Sequence, residues 1–426
     1  MQGSDYQVKT INMMKRAFST CLSSATAVLA MTIIFFLLVS AACFIPSNNI
    51  KSNVLQSTKL IEEEGIKHKI CNFFLFRLDN FTDALMMNIA AGVDNKHPVS
   101  SAMKTTYHLE EGGRINILEA NYQLCNNQYD HLIPVDYERY WHGYLVLLRP
   151  LLTLTDYQGI RIILTLFISC LFIFLCYTLY KYGDKYLLGT FLFCSLVFNL
   201  WIIPLSLQFS TTFIITFSYC ILIVYKRRFN SVRQLLLPMV IIGGITSFFD
   251  LLTTPLLTLS IPLSIALYQS NETTKEKWLS TLKSIVAWCF GYATIWINKW
   301  LLAHWTVDYQ LSDALQQASM RTSTIYENVD MSLKGIFTFL LDYPLLLTVL
   351  LFFTLLFIVF NIILYRKNSQ EFIHHSMLLL VAALPFFWCL ILRNHSVIHH
   401  WFVWRVFMAS IFAYLLFIRK MRVKKG

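Results

Sequence analysis

Hydrophobic positions along the chain gather into long runs separated by short polar breaks. Several runs approach twenty residues with almost no charge, enough at about 1.5 Å per residue to cross a hydrocarbon core about 30 Å thick. The pattern predicts an all-α polytopic membrane protein with about ten transmembrane helices. They fall at about 25–45, 160–180, 187–205, 207–225, 235–249, 254–269, 285–303, 344–365, 376–393 and 402–418. A membrane barrel would instead alternate apolar and polar positions over strands of about ten residues. The 34 residues LLLPMVIIGGITSFFDLLTTPLLTLSIPLSIALY exceed one span and divide at Asp250, Thr253, Thr254 and Pro255 into a tight pair. Two further apolar stretches, 144–154 and 333–344, are expected as interfacial helices. The first carries Arg149 and Pro150, and counting it as a span would invert every loop after it.

Charge fixes the orientation. With ten spans, the basic segments KTINMMKR, KYGDK, KRRFNSVR, KEKWLSTLK, YRK and RKMRVKKG all fall on one side. Lys and Arg favour the cytoplasmic side of short loops, so both termini are expected there. Residues 1–24 are then a cytoplasmic N-terminus and 25–45 a retained first span rather than a cleaved signal. Residues 46–159 form a long extracytoplasmic loop carrying interfacial helices. Residues 160–418 form the transmembrane bundle, and 419–426 a basic cytoplasmic tail. A smaller outer piece covers 304–332. The composition agrees: 56% of residues are hydrophobic and 14% charged, with mean hydropathy +0.54. A soluble domain carries about 25% charged residues. The net charge of +11 therefore reflects topology rather than nucleic-acid binding. Most cysteines lie in spans, while Cys71 and Cys125 share the outer loop, where a disulfide is an option.

Three constellations could carry chemistry. In RLDNFTDALMMNIAAGV (77–93), Leu78, Phe81, Leu85 and Ile89 recur at helical spacing, which places Asp79 and Asp83 on another face. Read alone, this favours an amphipathic helix lying on the membrane with a solvated acidic face. If part-buried, the acidic pair suits a base, since burial and a like-charged neighbour both raise a carboxylate pKa. In DYERYWHGYLVLLRPLL (136–152), the Tyr and Trp residues suit the headgroup level. Arg139, His142 and Arg149 go beyond such a belt, and guanidinium groups hold phosphate by forked hydrogen bonds. In RNHSVIHHWFVWR (393–405), His395 and His399 share a helical face, and so do Trp401 and Arg405. Such histidines suit proton transfer or a divalent metal, but no third ligand stands nearby, so the metal stays open. Arg405, at the edge of the apolar zone, needs a partner or a function. Lys299 is expected to snorkel outward or to meet an anionic headgroup. Asp250 either caps a helix or faces a cavity. Asn80, Asn271 and Asn394 match the glycosylation sequon, a pattern frequent by chance.

The arrangement resembles the GT-C class of integral membrane glycosyltransferases, especially the protein-mannosyltransferase and aminoarabinose-transferase type. The resemblance rests on LDNFTDALMMNIAAG, YERYWHGYLVLLRPLLTL, TDYQGIR with Arg161, and YKYG at 180–183, in that order. It covers about residues 25–185. The Asp-Asn here stands where that class often has Asp-Glu, and the class's Pro-Pro before the Tyr-Trp helix is absent. The resemblance implies a sugar donor linked to polyprenyl phosphate and transfer on the outer face to a glycan, lipid or protein acceptor. It implies inversion at the anomeric carbon, with Asp79 deprotonating the acceptor. Arg139, His142, Arg149, His395, His399 and Arg405 are the expected donor-binding residues, with Asp83 beside the base. Competing readings are a flippase for lipid-linked sugars, a cell-surface polysaccharide polymerase, and an acyltransferase using His399. A flippase should show ionisable residues at mid-membrane, of which the sequence has few.

Overall fold

The computed structural model describes residues 2–72, 76–110, 116–225, 232–323, 325–326, 329–330, 341 and 344–422. The interfacial helix expected at 333–344 and the basic corner at 226–233 lie almost wholly outside them. From the N-terminus, α1 (Gln2–Cys43) leads into the first loop through α2 (Ser47–Glu64), α3 (Asn80–Ala91), α4 (Pro98–Lys104), α5 (Ile117–Cys125) and α6 (Leu145–Leu154). Antiparallel strands β1 (Tyr107–Glu110) and β2 (Leu132–Val135) pair with Tyr107 opposite Val135. The bundle follows as α7 (Tyr157–Tyr182), α8 (Lys185–Val197), α9 (Leu207–Tyr225), α10 (Leu236–Phe249), α11 (Leu257–Gln269) and α12 (Thr274–Val307). After α13 (Leu311–Thr322) come α14 (Pro344–Lys367), α15 (Ser369–His375), α16 (Met377–Ile391), α17 (Arg393–Ile398), α18 (His400–Val403) and α19 (Met408–Arg422).

Among the described residues, six helices are long and apolar enough to cross a membrane: Ser19–Cys43 within α1, α7, α9, α12, Thr348–Lys367 within α14, and His400–Arg422. The bent pair α15–α16, broken by 49°, makes a seventh. The chain is an all-α polytopic membrane protein. Three expected spans appear as shorter helices: α8 of 13 residues, α10 of 14 and α11 of 13. The run at 187–205 breaks because Asn199 adopts a left-handed conformation at φ 54°, and the chain continues as a 3-10 turn holding Pro204.

Polar residues at the breaks start the helices. Asp156 accepts from the Gly159 amide at the head of α7, and Asp184 from the Leu187 amide at the head of α8. Thr273 and Glu276 form a reciprocal capping box on α12. Inside the bundle, α10 and α12 approach closely through glycine: a Cβ at Gly291 would run into the Val240 carbonyl, and one at Gly243 into that of Trp288. Gly291→Val should therefore force the pair apart and lower stability by about 2–3 kcal/mol. Thermal unfolding in detergent micelles reads this out, and an unchanged midpoint would contradict the close approach.

The first loop is not an independent soluble lobe. In α2, Ile50, Val54 and Ile61 are fully buried and pack with Met87, Leu145, Leu148 and Tyr157. Nor does α3 lie on a surface with a solvated acidic face, since Leu78, Asp79, Asn80, Asp83, Asn88 and Ile89 are all buried. Lys299, expected to snorkel, is also fully buried and donates to the carbonyls of Ala102 (3.2 Å) and Met103 (2.7 Å) in α4. These helix-end carbonyls lack partners of their own, so a cation there answers both the orphan acceptors and the helix dipole. All the cysteines are free, Cys71 and Cys125 included.

Candidate functional site

A cavity of about 440 Å³ opens where the segment before α3, the turn ahead of α6, the end of α13 and the α17–α18 corner meet. Of the residues expected from sequence, Asp79, His142, His395 and His399 line it. Its charged lining otherwise consists of Lys67, Arg77 and Arg321.

Asp79 sits at the N-cap of α3, not within the helix, with Oδ1 accepting from the Thr82 amide at 3.2 Å. Its Oδ2 accepts from the Trp401 indole at 3.4 Å, and only 3% of the residue is exposed. Burial pushes its carboxyl above the ordinary range, opposed by Thr82, Trp401 and the nearby Arg77 charge. The result is a carboxylate shielded from bulk water yet facing a cavity, the environment a general base requires.

Two guanidinium groups share that space. Arg77 lies 4.2 Å from the centroid of the Trp401 ring, and its Nε is buried without a partner. Arg321 donates to the Gln317 carbonyl at 3.1 Å and to the Tyr140 hydroxyl at 2.9 Å. Tyr137, Tyr140, Tyr144, Trp401 and Phe402 supply the aromatic wall. Guanidinium forks beside flat apolar faces suit a ligand that is anionic at one end and ring-shaped at the other.

Burial works against charge on the histidines. His142 bonds through Nε2 to the Tyr137 carbonyl (3.1 Å) and through Nδ1 to the Tyr144 hydroxyl (2.9 Å), so Nε2 carries the hydrogen and both nitrogens are used. Its left-handed backbone, φ 52°, and full burial mark it as a framework residue, and burial takes its pKa down to about 3. His395 points Nε2 at the Leu252 carbonyl (2.9 Å), and burial takes its pKa down to about 4. His399 lies 4.7 Å from it, ring centroid to centroid, with Nδ1 unpartnered, and burial and then the neighbouring charges take its pKa down to about 3. Burial disfavours the charged form of all three, which leaves the guanidinium groups as the better-placed cations. Among the described residues, no three His, Cys, Asp or Glu side chains converge at a metal-binding position.

Four expected site residues lie outside the cavity lining. Asp83 is fully buried, and its carboxylate accepts from the Tyr157 hydroxyl, the Ser206 hydroxyl (3.2 Å) and the amides of Leu207 and Gln208 (3.0 Å each). It thus caps the amino end of α9. Burial drives its pKa up to about 6, while the donors facing it favour the anion. The network continues from Tyr157 to Arg161, which also holds Asn80 (3.1 Å) and pairs with Glu64 at 2.5 Å. Arg149 is fully buried and donates to the carbonyls of Ala42, Ile45 and Ala90, closing the ends of α1 and α3 instead of meeting a ligand. Arg139 stacks on Tyr137 at 4.3 Å. Its carbonyl receives the indoles of Trp296 (2.6 Å) and Trp300 (3.0 Å). Arg405 is 1% exposed, donates to the Trp401 carbonyl at 3.4 Å, and rests 4.6 Å from the Phe209 centroid. Its Nε and Nη2 have no partner.

Sequence reasoning missed Lys67, Arg77, Arg321 and Trp401 in its role at the acid. Arg77 carried a signal, being two residues ahead of Asp79. Arg321 carried none, a single cation in a polar stretch. Asp250 neither lines this cavity nor starts a helix with its side chain: its Oδ1 accepts from the Thr253 amide at 3.0 Å and the Thr212 hydroxyl at 3.2 Å, fixing the turn after α10. Of the sequons, Asn80 and Asn394 are buried and bonded, Asn80 to Glu64 and Asn394 to the Met320 carbonyl. No family model, curated protein or solved structure matches the chain.

Proposed function

We propose that this chain is a membrane glycosyltransferase of the GT-C type, moving a sugar from a polyprenyl-phosphate donor to a glycan, lipid or protein acceptor. The observation carrying the reading is the meeting of one buried carboxylate, Asp79, with the guanidinium groups of Arg77 and Arg321 around a single aromatic-walled cavity. Asp79 takes the acceptor hydroxyl proton. The acceptor oxygen attacks the anomeric carbon from the face opposite the phosphate, and the carbon–oxygen bond to phosphate breaks. The donor diester carries one negative charge, and the departing monoester gains a second. Cations that bind the leaving group better than the donor lower the barrier directly. Arg77 and Arg321 take the role expected of Arg149, which is spent on carbonyls. Arg405, bonded to the Trp401 carbonyl, adds positive potential beside the site.

With α8, α10 and α11 taken as short spans beside the seven, the order would be ten spans. The basic clusters then support cytoplasmic termini and a cavity at the extracytoplasmic boundary. A polyprenyl chain would lie in the bilayer with its phosphate at that level. Arg77→Gln and Arg321→Gln should each weaken donor binding about tenfold or more, as expected for one charge-assisted hydrogen bond. Binding of polyprenyl-phosphate-linked sugars to the purified chain in nanodiscs checks this, and unchanged affinity in both variants would remove the phosphate site. Mass spectrometry of cell-envelope glycans with and without the gene then identifies the product.

A further inference from the structure

Trp401 touches every charged element of the site except Arg321 and Lys67. Its indole N–H points at Asp79 Oδ2 (3.4 Å), its ring carries the Arg77 guanidinium (4.2 Å), and its carbonyl receives Arg405 Nη1 (3.4 Å). The ring itself is fixed edge-on by His399 at 5.3 Å and by Phe402 at 5.7 Å. We infer that Trp401 is a positioning residue that couples the base to the phosphate-binding Arg77, holding Asp79 toward the cavity while carrying the Arg77 guanidinium on its ring. The inference rests on the proposed role of Asp79 and adds a member to that site.

Thr82 bonds Asp79 through both its amide, on Oδ1, and its hydroxyl, and the Trp401 indole is the donor that the far corner adds on Oδ2. At 3.4 Å this bond is long, so it steers the carboxylate without saturating it, and Oδ2 keeps a lone pair for an acceptor hydroxyl. A Phe ring could carry Arg77 but could not hold Asp79. The groups facing Asp79 are Arg77 on the preceding segment, Thr82 and Asp83 on its own helix, and Trp401 on the far corner, with Lys67 and His399 also on the cavity wall. Among these only the indole links the acid to residues more than three hundred positions away.

The test reads the protonation of Asp79 directly, in the full chain in nanodiscs. The infrared carbonyl stretch of its protonated form is the band lost in Asp79→Asn, and its amplitude is followed with pH. A hydrogen bond to the anion favours it, so removing the donor should move the midpoint upward, by about half a unit to one unit. Two changes are compared: Trp401→Phe, and replacement of Trp401 by β-(3-benzothienyl)alanine, which exchanges the indole N–H for sulfur at nearly constant shape. The isostere keeps the packing, so it answers even where the smaller Phe disturbs the fold. A rise with the isostere supports the inference; a midpoint unmoved by the isostere overturns it. Full sugar transfer by Asp79→Asn, with the Asp79 midpoint still raised by the isostere in the otherwise unchanged chain, would instead remove Asp79 as the base and leave the coupling intact.

Discussion

Asp79→Asn is expected to lower turnover by about 10²–10⁴-fold, the usual worth of a general base, while donor affinity stays within about a factor of two because the amide adds no charge against the phosphate. The fold should survive, since an Asn oxygen still accepts from the Thr82 amide at the helix start. The sign of the stability effect follows from burial. The folded-state pKa of Asp79 is raised, so its contribution to stability is greatest below the unfolded value and is lost as pH climbs through the folded one. At neutral pH an uncharged Asn should therefore be no less stable than Asp. For the wild type, activity requires the deprotonated acid, so kcat/KM should rise with pH and its acidic limb should lie above the ordinary carboxylate value of about 4. Steady-state kinetics with a polyprenyl-phosphate-linked sugar, together with thermal unfolding of the variant, check all three points. Full turnover in Asp79→Asn would end the proposed mechanism.

Asp83→Ala should behave in the opposite way. The carboxylate is the shared acceptor for two hydroxyls and two backbone amides. Truncation leaves those donors buried and unmatched and strips the amino end of α9 of its counter-charge. A loss of about 3–5 kcal/mol is expected, as for breaking a buried charged interaction. Unfolding in detergent micelles and the yield of monodisperse protein measure it. An Asp83→Ala chain as stable as wild type would show that the network contributes nothing. The contrast separates two aspartates that look equivalent in the sequence: one variant inactive and stable, the other unstable.

That contrast also shows what the sequence can and cannot say. Charge clusters and apolar runs carry the membrane architecture because they act through bulk properties, hydrophobic length and loop charge. They give way where a local break intervenes, as at Asn199, whose left-handed backbone leaves no mark in hydropathy. The spacing of Asp79 and Asp83 puts both on one helical face, and it does not show that Asp79 stands just before the helix as its cap. The role of Asp83 is not legible either, since the amides that claim it belong to Leu207 and Gln208 in another helix. Arg149 misleads for a related reason: the carbonyls it satisfies belong to helix ends that only the assembled structure brings together. Cations that serve a ligand and cations that close a helix have the same appearance along a chain. Only their neighbours tell them apart, and for Arg77 and Arg321 those neighbours lie on distant segments.

The indole contact on Asp79 has a consequence for biogenesis. Ribosomal synthesis runs from the amino end, so the acid emerges long before residue 401 exists. Until the corner at 393–405 is made and docks, the acid has its local amide but neither the remote donor nor that part of the cavity wall. On the proposed mechanism, a nascent or truncated chain lacking the corner at 393–405 would hold the acid without its remote donor and would not transfer sugar.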